Sequence, residues 1–230
     1  GNEDAAYAAD AVPLMVTTFE SAKKLWDASK PVYDKKLADD GLMSLYAVPW
    51  PPQGIYMKDE VSSGADFQGV KFRAYNSSTA RLAELLGAVP ATISSSEISQ
   101  AFSSGVISGM ITSPTTGVDS QAWDFVKNYY DVKAFIPKNF VIVNKDSFDA
   151  LSKKSQKALM EASTIAEIRG WEMAIKATND ATKVLSDNGM TVFETPAQLS
   201  KDFATVGATM LEEWKVSAGD DAATIIDAMK

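Results

Sequence analysis

Between Val70 and Thr112 the hydrophobic period switches back and forth between two residues and three to four. In "GVKFRAY", Val70, Phe72 and Ala74 alternate with Lys71, Arg73 and Tyr75, the pattern of a strand with unlike faces. The pattern predicts strands over Val70–Tyr75, Ala91–Ile93 and Val106–Thr112, with helices over Ser78–Leu86 and Ser96–Ser103 between them. Strands and helices alternating at this spacing require a βαβαβ unit, whose crossovers build a largely parallel sheet. Gly87 and Gly105 stand where the two helices should stop, and Ser94 with Glu97 forms the S-x-x-E box that starts the second.

The flanks extend this α/β reading. Ala5–Met15 and Glu20–Leu37 read as helical, the latter broken at Pro31 and stopped by Gly41, and Leu42–Val48 reads as a strand. The three prolines of "PWPPQGIY", Pro49–Tyr56, suit neither a helix nor a central ladder, so this stretch is expected to be a rigid crossover or a sheet edge between two lobes. A loop with Pro114 and Gly117 and a strand over Asn139–Lys145 follow. From Ser152 to about Leu185 no proline interrupts a seam of apolar or small residues at 159, 162, 166, 170, 173, 177, 181 and 184. At about 1.5 Å per residue this helix would run on the order of 50 Å, which suits a brace between two lobes. A short strand at Thr191–Glu194 and two helices complete the chain.

Composition narrows the function. The 230 residues are 46% hydrophobic, ample for a packed core, and the net charge of −8 disfavours nucleic acid and anionic membranes as partners. No run is long and apolar enough for a bilayer span, and no charged and apolar leader opens the sequence, which reads as a mature or trimmed form. Cysteine and histidine are both absent. Thiolate chemistry, histidine-based triads and the usual transition-metal ligands are therefore excluded, and no metal, cofactor or catalytic residue is expected. A lyase or hydrolase working through Asp, Glu or Lys remains the rival to a binding protein.

Arg73, one of three arginines, lies near the carboxyl end of its strand, just before Asn76, Ser77 and Ser78 at a helix start. Ligands of open α/β sheets bind at that end, where helix amides and a guanidinium suit an anion. A salt bridge from Arg73 to an Asp or Glu at a sheet edge is the equally open structural alternative. Thr112, Ser113 and Thr115 end the neighbouring strand, while Trp50, Tyr56, Tyr75 and Trp123 beside loops suit either core packing or cavity walls. Glu167, Arg169 and Glu172 read as surface ion pairs on the long helix.

The run "GVKFRAYNSSTARLAELLGAVPATISSSEISQAFSSGVISG" resembles the central segment of TRAP-transporter substrate-binding proteins, the DctP family. It carries G-x-K-x-R, a helix ending L-G-A, a proline, and an S-E-x-x-x-A helix leading to G-V-x-x-G. The likeness continues through "NFVIVNKDSFDALSKKSQKALMEAS" and covers most of the chain from Asp10 onward. The resemblance implies a two-lobed periplasmic binding protein, monomeric, that closes on an organic acid and delivers it to the membrane permease subunits. Lobe 1 would comprise 1–50 and 138–177, lobe 2 would comprise 51–137 and 178–230, and the hinge would lie near Val48–Pro51 and Phe135–Asn139. Family chains begin with strand and helix elements that have no counterpart before "GNEDAAYAADAVPLM", which implies an incomplete first lobe.

On that resemblance Arg73 falls on the arginine that pairs with the ligand carboxylate. Sialic-acid-binding members carry a second arginine where this chain has Gln53, so sialic acid is not expected. Gln53 and the polar strand end, Thr112 or Ser113, would add hydrogen bonds, with Asn139 alongside. "AVPWPPQGIY" and "ITSPTTGVDSQAW" look like a subgroup for aromatic and other hydrophobic carboxylates, with Trp50, Tyr75 and Trp123 as walls. A ligand-sensing module for a signalling partner would share the same site.

Overall fold

A computed structural model describes residues 3–230. A 3-10 helix over Ala5–Ala11 leads to α1 (Phe19–Asp39), β1 (Leu42–Pro49), β2 (Gly54–Met57), β3 (Lys71–Ala74), α2 (Ser77–Leu85), β4 (Val89–Thr92), α3 (Ile98–Ser103) and β5 (Gly109–Thr112). Then come α4 (Pro114–Asp119), β6 (Asn128–Tyr130), β7 (Lys138–Asn144), α5 (Lys145–Asp149), α6 (Lys153–Asp187), β8 (Thr191–Phe193), α7 (Ala197–Ala218) and α8 (Asp220–Ala228). No described helix is long and apolar enough to cross a membrane.

The βαβαβ unit forms as its periodicity requires. Gly87 and Gly105 adopt φ of +79° and +72° past α2 and α3, and the Ser94 amide donates to Glu97 Oε2 at 3.2 Å. The sheet order is β4-β3-β5-β2-β6-β8. β2 runs antiparallel to both neighbours and the remaining pairs are parallel, so β2 alone is reversed in a mostly parallel sheet. The two faces bury different side chains: Ile55, Phe72, Ile111 and Tyr130 on one, Tyr56, Met110 and Tyr129 on the other. Alternate residues of the same strands supply both cores, as the pleat demands.

Three expectations are corrected. α1 continues through Pro31 instead of breaking there. Pro31 and Asp27, whose carbonyl loses its helical donor, are both exposed, so the freed group is open to solvent. Of the proline-rich stretch only residues 50–53 form a crossover, because the prolines end before Gly54–Met57 enters the middle of the sheet, every residue buried. Pro114 opens α4 at its first turn, where no amide is needed.

β1 and β7 form a separate antiparallel ribbon, paired from Leu42↔Asn144 to Pro49↔Lys138 with a bulge between Ser44 and Tyr46. Pairing continues into the crossovers beyond it. The Trp50 amide donates to the Pro137 carbonyl (2.7 Å), the Gln53 amide to Phe135 (3.0 Å), and the Ala134 amide to Gln53 (2.9 Å). α6 packs against β1 at one place and α4 at another, linking ribbon and sheet. Its predicted seam is only partly buried: residues 162 and 173 are exposed, and burial centres on Gln156, Ser163, Trp171, Ala174, Ala181 and Leu185. The helix touches its neighbours locally and is otherwise solvated. Glu167 accepts from Trp26 Nε1 at 3.0 Å instead of joining a surface ion pair, because α1 passes beneath it.

Gly170 marks the closest approach of α6 to β1. A Cβ there would stand 2.6 Å from Val48 Cγ2, while the next residue, Trp171, donates from Nε1 to the Ala47 carbonyl at 3.1 Å. Gly→Ala in a helix interior ordinarily stabilises by about 1 kcal/mol. Here overpacking should dominate, and Gly170→Ala is expected to destabilise by about 1–2 kcal/mol in urea denaturation. A stabilised variant would show that the contact yields freely.

Candidate functional site

A cleft of about 870 Å³ opens where the end of β3 and the start of α2 meet the loop after β4, the end of β5, the start of β7 and the N-terminal 3-10 helix. Arg73 lies at its base, 3% exposed. Its Nε donates to the Ile93 carbonyl at 2.9 Å, while Nη1 is buried with no hydrogen-bond partner among the described residues. Among the described residues no carboxylate pairs with it, so the edge salt bridge is not formed. Burial lowers the pKa of Arg73 from its ordinary value, partly countered by Tyr75, whose ring centroid lies 5.4 Å from the guanidinium carbon. Leaving a buried cation unpaired costs several kcal/mol, on the order of a buried ion pair's broken half. The arrangement makes sense for a group that receives an anion.

Tyr75 is held in turn. Its hydroxyl donates to Gln53 Oε1 at 3.0 Å, and Gln53 Nε2 donates to the Pro51 carbonyl at 2.8 Å. Gln53 lines the cleft but is 2% exposed and has both ends engaged, so its visible work is to fix Tyr75. Burial raises the pKa of the Tyr75 hydroxyl, which stays a neutral donor. Thr112, opposite Gly54 in the β2–β5 ladder, lies on the wall and is 4% exposed.

Asn76 Oδ1 accepts from the Thr79 amide at 2.8 Å and so caps α2, whose first turn borders the cleft. Ser94 and Ser95 border it as well. Trp50, 39% exposed, and Asn139, also exposed, stand at the mouth.

Ser113 does not line the cleft: it is fully buried, its Oγ accepts from the Thr116 amide (3.1 Å) as the cap of α4, and Thr116 lines the wall in its stead. Trp123, half-buried, packs against the core cluster that contains Tyr56, Phe102 and Tyr129 and does not line the cleft. Sequence reasoning missed Asp10 and Lys138 at the site, as it missed Thr92 and Thr116 on the wall. Lys138 Nζ lies 3.1 Å from Asp10 Oδ2, which also accepts from the Lys138 amide at 2.9 Å. The one signal was each residue's apolar setting, in "AADAVPL" and "FIPKNFVIV", where a lone charge needs a partner.

The sequence pattern of DctP, described as bacterial extracellular solute-binding protein, family 7, matches residues 4–216. The chain belongs to this family. Among solved structures it is similar to DctP7 of Bordetella pertussis, an extracytoplasmic solute receptor binding pyroglutamic acid, with 48% identity and a TM-score of 0.97 over 100% of this chain and 76% of that one. DctP6 of the same organism, also binding pyroglutamic acid, shares 41% identity with a TM-score of 0.97 over 99% and 76% of the two chains. A marine metagenome TRAP solute-binding protein specific for pyroglutamate shares 38% identity with a TM-score of 0.95 over 99% and 75%. No match is found among curated proteins.

This DctP-family chain thus has the two-lobed α/β architecture of TRAP binding proteins, with α6 as the helix that joins the lobes. It is a periplasmic solute receptor of the TRAP type, a class that binds small carboxylates, works with membrane permease components and consists of transport receptors, not enzymes.

Proposed function

We propose that the chain binds a compact, polar monocarboxylate, pyroglutamate or a near analogue, and hands it unaltered to a TRAP permease. The observation that carries this reading is Arg73, buried with Nη1 unpaired at the base of the cleft. A charge-assisted hydrogen bond is worth about 1.5–3 kcal/mol and micromolar affinity about 8 kcal/mol, so the rest of the ligand must also be enclosed and hydrogen-bonded. The wall near Arg73 supplies Asn76, Thr92, Ser94, Thr112 and Thr116, while Trp50 stands at the mouth. An aromatic body against these groups would strip water from them without replacing its hydrogen bonds, which favours a small polar ring over the aromatic acid expected from the sequence. The three relatives sharing 38–48% identity are each described with pyroglutamate or pyroglutamic acid, in keeping with that choice. Family membership favours delivery to a permease over signalling.

Calorimetry on refolded, ligand-free protein tests the reading. Pyroglutamate is expected to bind at least about tenfold more tightly than phenylacetate or benzoate, a difference of about 1.4 kcal/mol. Equal or tighter binding of the aromatic acids would restore the hydrophobic-ligand reading. Mass spectrometry of the ligand after incubation should show no product, whereas turnover would make the protein an enzyme.

A further inference from the structure

The cleft has a second polar pole. Asp10, in the 3-10 helix Ala5–Ala11, lines the same cleft as Arg73 and is 8% exposed. Its Oδ2 is occupied by Lys138, through the amide at 2.9 Å and Nζ at 3.1 Å. Its Oδ1 accepts no hydrogen bond from the described residues. The Lys138 side chain is wholly enclosed, and its Nζ is charge-paired with Asp10 without a well-aligned hydrogen bond to any described group.

The two poles ask for opposite chemistry. Arg73 offers donors only and takes the ligand's carboxylate. Asp10 offers acceptors only, so it repels a second carboxylate and requires a donor. The Lys138 ammonium balances the Asp10 charge, while the Lys138 amide fixes which oxygen stays free. A ligand satisfying both poles carries a carboxylate and, on a neighbouring atom free to point elsewhere, an N–H donor.

Resting on the receptor reading above, we propose that Asp10 Oδ1 accepts the ring N–H of a lactam acid and that Lys138 positions it, so that the site selects carboxylates bearing an N–H donor. An isosteric ligand with oxygen in place of N–H would leave the Asp10 oxygen facing another acceptor. Sites built around a hydrogen bond reject such isosteres strongly, because a buried polar group is left unpaired.

The test compares pyroglutamate with 5-oxotetrahydrofuran-2-carboxylate, its lactone counterpart, by calorimetry on the intact protein. The wild type is expected to bind the lactone about 10- to 100-fold more weakly than the lactam. Asp10→Asn, whose amide can donate to the ring oxygen, is expected to bring the two affinities within about threefold or to reverse them. Equal binding of both ligands by the wild type, or an unchanged ratio in Asp10→Asn, would overturn the assignment. Should that variant fail to fold, a crystal structure of the wild type with pyroglutamate decides: the ring nitrogen is expected within about 3.2 Å of Asp10 Oδ1, and a nitrogen bonded elsewhere refutes the proposal. If neither ligand binds, the carboxylate-receptor reading itself fails and this inference falls with it.

Discussion

Arg73→Met is expected to weaken carboxylate binding by about 30-fold or more while leaving the unliganded protein at least as stable as the wild type. Truncating one partner of a buried, hydrogen-bonded charge pair costs about 2–5 kcal/mol, which takes a ligand of about 1 μM to between about 30 μM and a few mM. The stability sign is the more telling part. Nη1 of Arg73 has no hydrogen-bond partner among the described residues, and methionine fills similar space without a charge to bury. Against this gain stands the lost bond from Nε to the Ile93 carbonyl, about 1 kcal/mol. Replacing buried ionic groups by apolar ones of similar volume is often neutral or stabilising by about 1–4 kcal/mol, so the net change should lie near zero or above it. Urea denaturation and titration of the same preparation check both halves. A variant that binds normally, or one whose stability drops by several kcal/mol, would make Arg73 a structural residue.

Trp26→Ala carries the largest expected loss of stability, about 3–5 kcal/mol for a fully buried tryptophan. Trp26 is 1% exposed, stacks on Phe140 with centroids 5.4 Å apart and tilts against Tyr33 at 6.4 Å. Tyr33 in turn donates its hydroxyl to the Ala6 carbonyl at 3.1 Å and packs on Tyr7 at 4.9 Å. This cluster therefore fastens the 3-10 helix that carries Asp10 to α1 and β7. The variant should unfold at lower urea with an unchanged slope, and its affinity for pyroglutamate should fall as well. A loss below about 1 kcal/mol would mean that the cluster closes over the gap, at odds with the usual cavity cost.

The sheet unit could be read from the sequence because its signals are local. Alternation in "VKFRAY", the Ser94–Glu97 box, and the glycines at 87 and 105 each act within a few residues, and each reappears in the structure. The place of Arg73 could be read for the same reason, since a strand end before a helix start can be recognised from neighbours alone, while the pattern left open what it pairs with. The rest of the site depends on contacts between distant segments. Asp10 and Lys138 meet across 128 residues, and periodicity says nothing about which two lone charges will pair. Ser113 and Thr116 are close in sequence, yet which of them faces the cleft depends on where α4 begins, and Pro114 was read as part of a loop. Gln53 lines the cleft and is bonded to Tyr75 and Pro51, and the 22 residues separating it from Tyr75 hid that link.

The paired crossovers have a mechanical consequence. Because Trp50 and Gln53 are bonded to Pro137, Phe135 and Ala134, the two crossovers run tied side by side between ribbon and sheet, with α6 as a third link. A turn of ribbon against sheet is expected to twist both crossovers together, like a flat strap, through one angle. Arg73 stands on the sheet side of that strap, whereas Lys138, the partner of Asp10, opens the ribbon on the other side. A molecule held at both poles would then set that angle by its own length, and the protein would work as a caliper. A shorter or longer acid could satisfy Arg73 and still leave the jaws at an angle the membrane partner does not accept.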